Sequence, residues 1–362
     1  MKSKYLDYII HPLDTLRTQK ILQVNPTVIS EKKDAEKIKI FLFEYNNETC
    51  VFKFLDKIED SFNHFNTKET TWINIDGINK NEVEKLSANF GIHPLMVEDI
   101  LSSNQRPKMD QINGLIFCVL NMLYFNEKDS TVETEQISIV LGQDFVISFQ
   151  EDATRDVFNG LREKIKMAGS KVRQNKSDFL FYTLIDSIVD HYYLVMEKLG
   201  ERIEQLEEDI VRNANNRTLA KINNLRKEMI LLKRSIGPVR ELIHGILRSE
   251  SELIETKTEK YFKDVYDHII QANDLAENYR DMMINIHDLY MSNVNLKLNE
   301  SMKVMAIVTC LLAPATVIGG IFGMNFESLP MLHNKSGFIV SVSLMILIPV
   351  GMMVYFKKKK WF

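Results

Sequence analysis

The sequence predicts an α+β protein in which an N-terminal α/β domain precedes long helices and two membrane-spanning helices. Short β-rich runs alternate with helical patterns as far as residue 150, and strand signals vanish from Ala153 onward. Two uncharged apolar runs then occupy roughly the last sixty residues. The chain has 362 residues, 26% of them charged, and a formal net charge of −4. This composition excludes a disordered chain and argues against a nucleic-acid partner.

The N-terminal domain is predicted from its strands. Residues 38–45 and 49–54 flank the dipeptide Asn46-Asn47 and predict a hairpin. A helix is expected at 81–90, and further strands are expected at 71–75, 115–125, 136–141 and 145–149. The domain contains neither a glycine-rich phosphate loop nor a nucleophile elbow, and the three cysteines lack metal-type spacing. We therefore do not expect an enzyme.

The middle of the chain predicts a helical hairpin. One helix begins near Ser177 and continues to the polar segment 213–217, and a second returns from Thr218 to about Arg248. The first helix ends with acidic residues and the second begins with basic ones, so an antiparallel arrangement would bring opposite charges together.

A single very long helix is expected after the hairpin. No proline or glycine occurs from Glu255 until Pro314, and apolar residues recur at helical spacing. A helix over residues 255–322 would be on the order of 100 Å long at 1.5 Å per residue. This helix is too polar to be buried in the core of a single chain. Several copies around a symmetry axis would supply the helices that pack against it.

The two apolar runs predict a membrane hairpin. Residues 304–326 and 337–356 contain no charged residue, and each run is long enough to cross a bilayer. Buried core helices are the alternative, but they rarely stay uncharged for so long. Lysines follow the second run at residues 357–360, and Lys303 precedes the first, so the positive-inside rule places both ends in the cytoplasm.

These patterns divide the chain into segments. They are an N-terminal segment (1–35), a cytosolic α/β domain (36–170), a helical hairpin (171–250), a stalk helix (251–303), a first transmembrane helix (304–326), an extracellular loop (327–336), a second transmembrane helix (337–356) and a basic cytoplasmic tail (357–362).

One face of the long helix, from the end of the stalk through the first membrane helix, carries small, hydroxyl, amide and methionine side chains at steps of three or four residues. This stripe consists of Asn299, Met302, Met305, Thr309, Ala313, Thr316 and Gly320. It contains no ionisable group, and its polar members would be costly against lipid. The spacing leaves two interpretations open, a pore wall on a shared axis or a tight helix–helix contact, which Gly319 and Gly323 would also permit.

The end of this helix resembles a known family. Gly323-Met324-Asn325, within the block FGMNF at 322–326, is similar to the signature of the CorA family of divalent-cation channels. The two-span hairpin, the lysine-rich tail and GIHPLMVEDIL at 91–101 resemble the same family, over residues 35–362. The resemblance implies a funnel-shaped homopentamer in the inner membrane. It also implies that the first span lines a pore for Mg²⁺, often with Co²⁺ or Ni²⁺.

The resemblance assigns roles in permeation. Gly323, Met324 and Asn325 would form the selectivity site, where amide oxygens hold hydrated Mg²⁺ without stripping its water. Met302 and Met305 would form apolar constrictions that gate by dewetting. The chain departs from some family members at Ala313, where those members carry an upper methionine gate.

The resemblance also implies a regulatory Mg²⁺ site between subunits. Its ligands would be the carboxylates of Glu98, Asp99, Asp186 and Asp264. His93 and His268 are interpreted as structural. The implied protein is a passive Mg²⁺ channel that is driven by the membrane potential and closed by cytosolic Mg²⁺, with divalent cations, membrane lipid and copies of itself as partners.

Two other functions remain open. A Zn²⁺ transporter of the same superfamily would usually vary the middle residue of the signature, so Met324 argues against it. A membrane-anchored enzyme or scaffold would not need a polar stripe in its first span.

Overall fold

A computed structural model describes residues 32, 34–35, 38–64, 69–103, 105–152, 155, 157–324 and 335–361. Almost all of the N-terminal segment, most of the loop expected at 327–336, and Asn325 of the signature therefore lie outside the described residues. The chain divides into two units. The first extends to Asp209 and includes Asn216–Ile286, and the second contains Ile210–Asn215 and the residues from His287 onward.

Within the described residues of the first unit, seven strands form one mixed sheet. They are β1 (Lys39–Tyr45), β2 (Cys50–Leu55), β3 (Thr70–Asp76), β4 (Lys108–Ile112), β5 (Leu115–Asn126), β6 (Thr131–Leu141) and β7 (Phe145–Gln150). Their order is β2-β1-β3-β7-β6-β5-β4. Neighbouring strands pair antiparallel except β3 and β7, which are parallel and place both strands at the buried centre.

Two short helices cover one face of the sheet. Helix α1 (Lys80–Phe90) begins where the Asn79 side chain accepts hydrogen bonds from two backbone N–H groups, and it ends at Gly91 with φ of 68°. Helix α2 (Pro94–Leu101) begins at His93, whose Nδ1 accepts from the Leu95 N–H. Leu86 of α1 and Ile100 of α2 belong to one buried apolar cluster with Ile73, Phe117 and Ile147 of the sheet. This packing fixes α2 and the acids it carries.

The remaining helices of the first unit extend the core. Helix α3 (Asn159–Lys166) follows the sheet, and α4 (Ser177–Asn213) and α5 (Asn216–Arg248) form the expected hairpin. Lys221 pairs with Asp209 across the hairpin at 2.6 Å, as the opposite charges predict. Two hydrogen bonds tie the hairpin to the sheet: the Tyr192 hydroxyl donates to the Asn121 carbonyl, and a Glu228 carboxylate oxygen accepts from the Val132 N–H.

The long helix is continuous. Helix α6 runs from Thr256 to Phe322, 67 residues, with Pro314 inside it. Its first part buries Phe262, Val265, Ile269 and Ala272 at helical spacing, and Phe262 contacts Phe181 of α4. Helix α7 (Lys335–Lys358) is the second apolar helix. Both are long and apolar enough to cross a membrane, and only 6% and 11% of their apolar windows are buried, unlike the core helices of a soluble protein.

The predicted elements need correction in several places. Strand β4 was not expected, because its sequence KMDQI is polar and half-exposed and forms a strand only through antiparallel pairing with β5. Helix α2 and a 3₁₀ helix at Ile58–His64 were also not expected. Strand β6 begins at Thr131, five residues before the expected residue 136, because polar residues there pair with the end of β5.

Candidate metal-binding and ion-permeation sites

Glu98 and Asp99 lie in the last turn of α2. Hydrogen bonds from other elements hold this turn: the Gln136 side chain donates to the Asp99 carbonyl and Lys32 Nζ donates to the Ile100 carbonyl, both at 2.9 Å. The side chain of Asp99 is 14% exposed, whereas Glu98 is exposed. The two acids are therefore presented from a fixed backbone, one open to solvent and one largely covered.

Asp99 already has a cationic partner in its own chain. Lys108 Nζ, on β4, lies 2.6 Å from Asp99 Oδ2 and 3.2 Å from Asp110 Oδ2. Burial lowers the pKa of Lys108, but hydrogen bonds to Asp99 and Asp110 and their charges outweigh it, so this pKa lies above its ordinary value. The sequence did not reveal this pair because β4 was not predicted.

A second group of ligands lies on α4 and α6. Ligand atoms of Asp186, Asp190 and His268 all lie within 4.8 Å of one another. Burial and the charge of Asp190 raise the pKa of Asp186, although a hydrogen bond from the Tyr182 hydroxyl opposes this. Asp264 also acts on Asp186 through its charge. This group has the carboxylate and imidazole donors that divalent cations use.

The structure thus brings some predicted ligands together and leaves others apart. Asp186 has Asp190 and His268 beside it, and Asp264 lies one helical turn before His268 on α6. Among the described residues, the grouping that could hold a metal ion includes neither Glu98 nor Asp99.

Asp190 was missed in the sequence, and His268 was interpreted there as structural. The available signal was their spacing of four residues from Asp186 and Asp264, which places each pair on one helix face. The Nδ1 atom of His268 is buried and has no hydrogen-bond partner in the part of the chain that the structure describes. The interpretation of His268 as structural stays a prediction, and its ring is also one of the three groups that could hold a metal ion.

In the second unit, the predicted stripe is one exposed face of α6. Every member from Asn299 to Gly320 is exposed in the single chain. Less exposed positions of the same helix, such as Ile307, Leu311 and Ile318, each lie two residues after a member of the stripe. At about 100° per residue this is the opposite side of the helix. Gly319 lies outside the stripe, and a Cβ added there would lie 3.7 Å from Met345 of α7.

The polar groups of the stripe are uncharged. The Thr309 hydroxyl donates to the Met305 carbonyl and the Thr316 hydroxyl donates to the Leu312 carbonyl, at 2.9 and 3.0 Å. Each hydroxyl has thereby used its proton within the helix and presents an oxygen acceptor, the group that can hydrogen-bond to the water of a hydrated cation.

The signature begins where α6 ends. The Gly323 N–H donates to the Gly319 carbonyl at 2.9 Å, and Met324 follows as an exposed residue. A Cβ on Gly323 would lie 3.1 Å from that same carbonyl, so the last turn leaves little space for a side chain. The structure therefore describes Gly323 and Met324 of the signature but not Asn325.

The sheet domain, the 67-residue helix and the second apolar helix together have the organisation of a membrane protein. The family model described as "CorA-like Mg2+ transporter protein" matches residues 67–358, and the chain belongs to this family. The chain is 39% identical over 337 residues to the cobalt/magnesium transport protein CorA of Thermotoga maritima, covering 92% of this chain and 95% of that protein.

Solved structures share the fold. The complete CorA magnesium transporter of Methanocaldococcus jannaschii superposes with a TM-score of 0.74 at 22% identity, covering 91% of this chain and all of that one. The cytoplasmic domain of ZntB from Vibrio parahaemolyticus gives a TM-score of 0.55 at 16% identity, covering 71% of this chain and 98% of that one. The α+β fold class and the family resemblance predicted from the sequence are thereby confirmed.

Proposed function

We propose that the chain is a Mg²⁺ channel that mediates influx driven by the membrane potential, with Co²⁺ and Ni²⁺ as further permeant ions. The observation that carries this proposal is the uncharged polar stripe on one exposed face of α6. Within the proposed span this face exposes the hydroxyl oxygens of Thr309 and Thr316, which suit water better than lipid, and Asn299 exposes an amide just before the span. Family membership supports the transport of divalent cations.

Recognition of a hydrated ion suits this stripe. Mg²⁺ gives up its water reluctantly, and acceptor oxygens of Asn299, Thr309 and Thr316 can hydrogen-bond to that water without replacing it. The selectivity site proposed at Gly323, Met324 and Asn325 would act in the same way through amide and backbone oxygens. Met302 and Met305, both exposed on the stripe, would form the apolar constriction.

The assembly proposed is a homopentamer in the inner membrane with both termini in the cytoplasm. The support is that α6 and α7 expose most of their apolar windows in a single chain, which leaves surface for lipid and for copies of the chain. The four lysines at 357–360 favour a cytoplasmic C-terminus. No energy source beyond the membrane potential is needed, since each charge gains about 2.3 kcal/mol per 100 mV.

Cytosolic Mg²⁺ is proposed to regulate the channel. Carboxylates are the ligands that Mg²⁺ prefers, and Glu98, Asp99, Asp186 and Asp264 supply them on rigid helices. An ion shared by Asp99 of one copy and Asp264 of the next would cancel their repulsion and favour the closed assembly. Loss of the ion would let the carboxylates repel and would populate open states.

Flux into proteoliposomes tests the function. A fluorescent Mg²⁺ indicator inside the vesicles should report uptake that requires an inside-negative potential and stops when the potential is collapsed. Asn325→Ala should abolish this uptake while the assembly stays intact, and Ser336→Ala is the matched control near the start of α7. Mg²⁺ uptake that is unaffected by potential, or a folded Asn325→Ala protein with normal flux, would contradict the proposal.

A Zn²⁺ transporter is the second candidate. The similarity to the cytoplasmic domain of ZntB favours it only through the shared fold, and Met324 in the signature argues against it. The same vesicles decide between the two: Zn²⁺ flux that exceeds Mg²⁺ flux at equal concentration would favour the Zn²⁺ transporter.

A further inference from the structure

The regulatory carboxylate Asp99 is engaged by a lysine whose role nothing in the sequence suggested. Lys108 Nζ lies 2.6 Å from Asp99 Oδ2, well within charge-assisted hydrogen-bond distance. A divalent cation that uses the same carboxylate must compete with this ammonium group. The inference therefore concerns the regulatory site of the proposed function and rests on it.

Both members of this pair are fixed by their elements. Asp99 belongs to the turn of α2 that Gln136 and Lys32 hold through hydrogen bonds to backbone carbonyls. Lys108 is the first residue of β4 and pairs in register with Val119 of β5. The contact therefore joins a helix and a strand whose backbones are each held by other hydrogen bonds.

Lys108 also has a second carboxylate partner. Asp110 Oδ2 lies 3.2 Å from the same Nζ, and Asp110 is more exposed than Asp99, at 42% against 14% of the side chain. The ammonium group can leave Asp99 and keep an ionic partner by a small rotation of its flexible stem. The Lys108 side chain is 40% exposed, so this movement does not require the core to open.

We propose that Lys108 is a displaceable counter-ion that sets the divalent-cation affinity of Asp99. Without the cation the ammonium group neutralises Asp99. When the cation binds, Lys108 transfers to Asp110. The pair would thus weaken cation binding and keep the regulatory site responsive at high intracellular cation concentration, because the cation must first displace a bound charge.

Protease protection of the full-length chain in detergent, measured against Mg²⁺ concentration, tests this. Lys108→Met keeps most of the stem and removes the charge, and it should lower the Mg²⁺ concentration for half-maximal protection by about two- to fivefold, the range expected for a half-exposed ion pair. Lys108→Arg should stay close to the wild type. Asp110→Asn should shift the midpoint the other way, since the ammonium group loses its alternative partner.

Lys85→Met is the matched control. Lys85 is 47% exposed and likewise contacts two carboxylates, Glu59 at 2.7 Å and Glu82 at 3.2 Å, neither of which belongs to the proposed site. Lys85→Met removes the same net charge as Lys108→Met. A shift of the Mg²⁺ midpoint that both variants share would overturn the inference. Melting temperatures without Mg²⁺ separate a folding defect from a change in affinity.

Asp99→Asn distinguishes the two possible failures. If Asp99→Asn loses protection but Lys108→Met keeps the wild-type midpoint, the counter-ion role is wrong and the regulatory site stands. If Asp99→Asn retains wild-type protection, Asp99 is not a regulatory ligand and the proposed regulation itself fails.

Discussion

Glu135 is the residue at which burial and charge conflict most clearly. Its carboxylate accepts hydrogen bonds from the Glu151 and Asp152 N–H groups and from the Tyr124 hydroxyl. Burial nevertheless dominates and raises its pKa from 4.5 to about 7. Between these values the folded chain holds a proton that the unfolded chain has released, so stability falls as the pH rises, by up to about 3 kcal/mol.

Glu135→Gln should remove this part of the pH dependence. The amide keeps an acceptor for the two N–H groups and has no charge to bury. We expect the melting temperature of the wild type, relative to the variant, to fall between pH 5 and pH 7 and to level off above pH 7. If the melting temperatures of the two proteins change with pH in the same way, the pKa of Glu135 is not raised.

His268 provides a second prediction for a single residue. Imidazole suits Co²⁺ better than Mg²⁺, whereas carboxylates suit both. His268→Gln should therefore weaken protease protection by Co²⁺ by about tenfold, the lower end of the cost of altering a metal site, and should weaken protection by Mg²⁺ less. His64→Gln, which changes a half-buried histidine that pairs with Glu44, is the control. Equal losses for both ions would remove His268 from the ligand set.

Among the elements, α6 was the most predictable and β4 the least. A run without proline or glycine from Glu255 and a regular apolar spacing specify a helix locally, and the helix occurs at Thr256–Phe322. Strand β4 has no such local signal, since only its pairing with β5 satisfies its backbone. Lys108 and its contact with Asp99 were missed for this reason.

The face of α6 that lines the proposed pore can be tested by adding bulk. Ala313→Met places a larger apolar side chain on the stripe and should lower Mg²⁺ conductance severalfold by narrowing a wettable path. Val308→Met adds bulk at an exposed position outside the stripe and should leave the flux near that of the wild type. Equal effects of the two changes, measured in the proteoliposome assay, would show that the stripe faces no pore.

For the whole molecule, the central prediction concerns regulation between copies. Asp99 and Asp264 stand on α2 and on α6, and we propose that they form one site between subunits. Asp99→Asn combined with Asp264→Asn removes both the metal site and the repulsion. We expect a channel whose flux no longer falls as internal Mg²⁺ rises through the millimolar range.

The control for this double variant is Glu59→Gln combined with Glu82→Gln, which removes the same charge around Lys85. It should close like the wild type. A double Asp→Asn variant that still closes with the wild-type Mg²⁺ dependence would show that the two acids are ordinary surface charges with no role in regulation.

The sequence by itself determined the features that depend on local order: the two apolar spans, the unbroken long helix, the central strands and the signature that indicates the family. Hydrophobic length and helical period act over neighbouring residues, so they can be read without the fold. Only the tertiary structure decided which charges meet. Asp190 and His268 join Asp186, and Lys108 meets Asp99, because helices and strands distant in sequence pack against one another. Electrostatic contacts of this kind depend on distances of a few ångströms, which no sequence spacing specifies across separate elements.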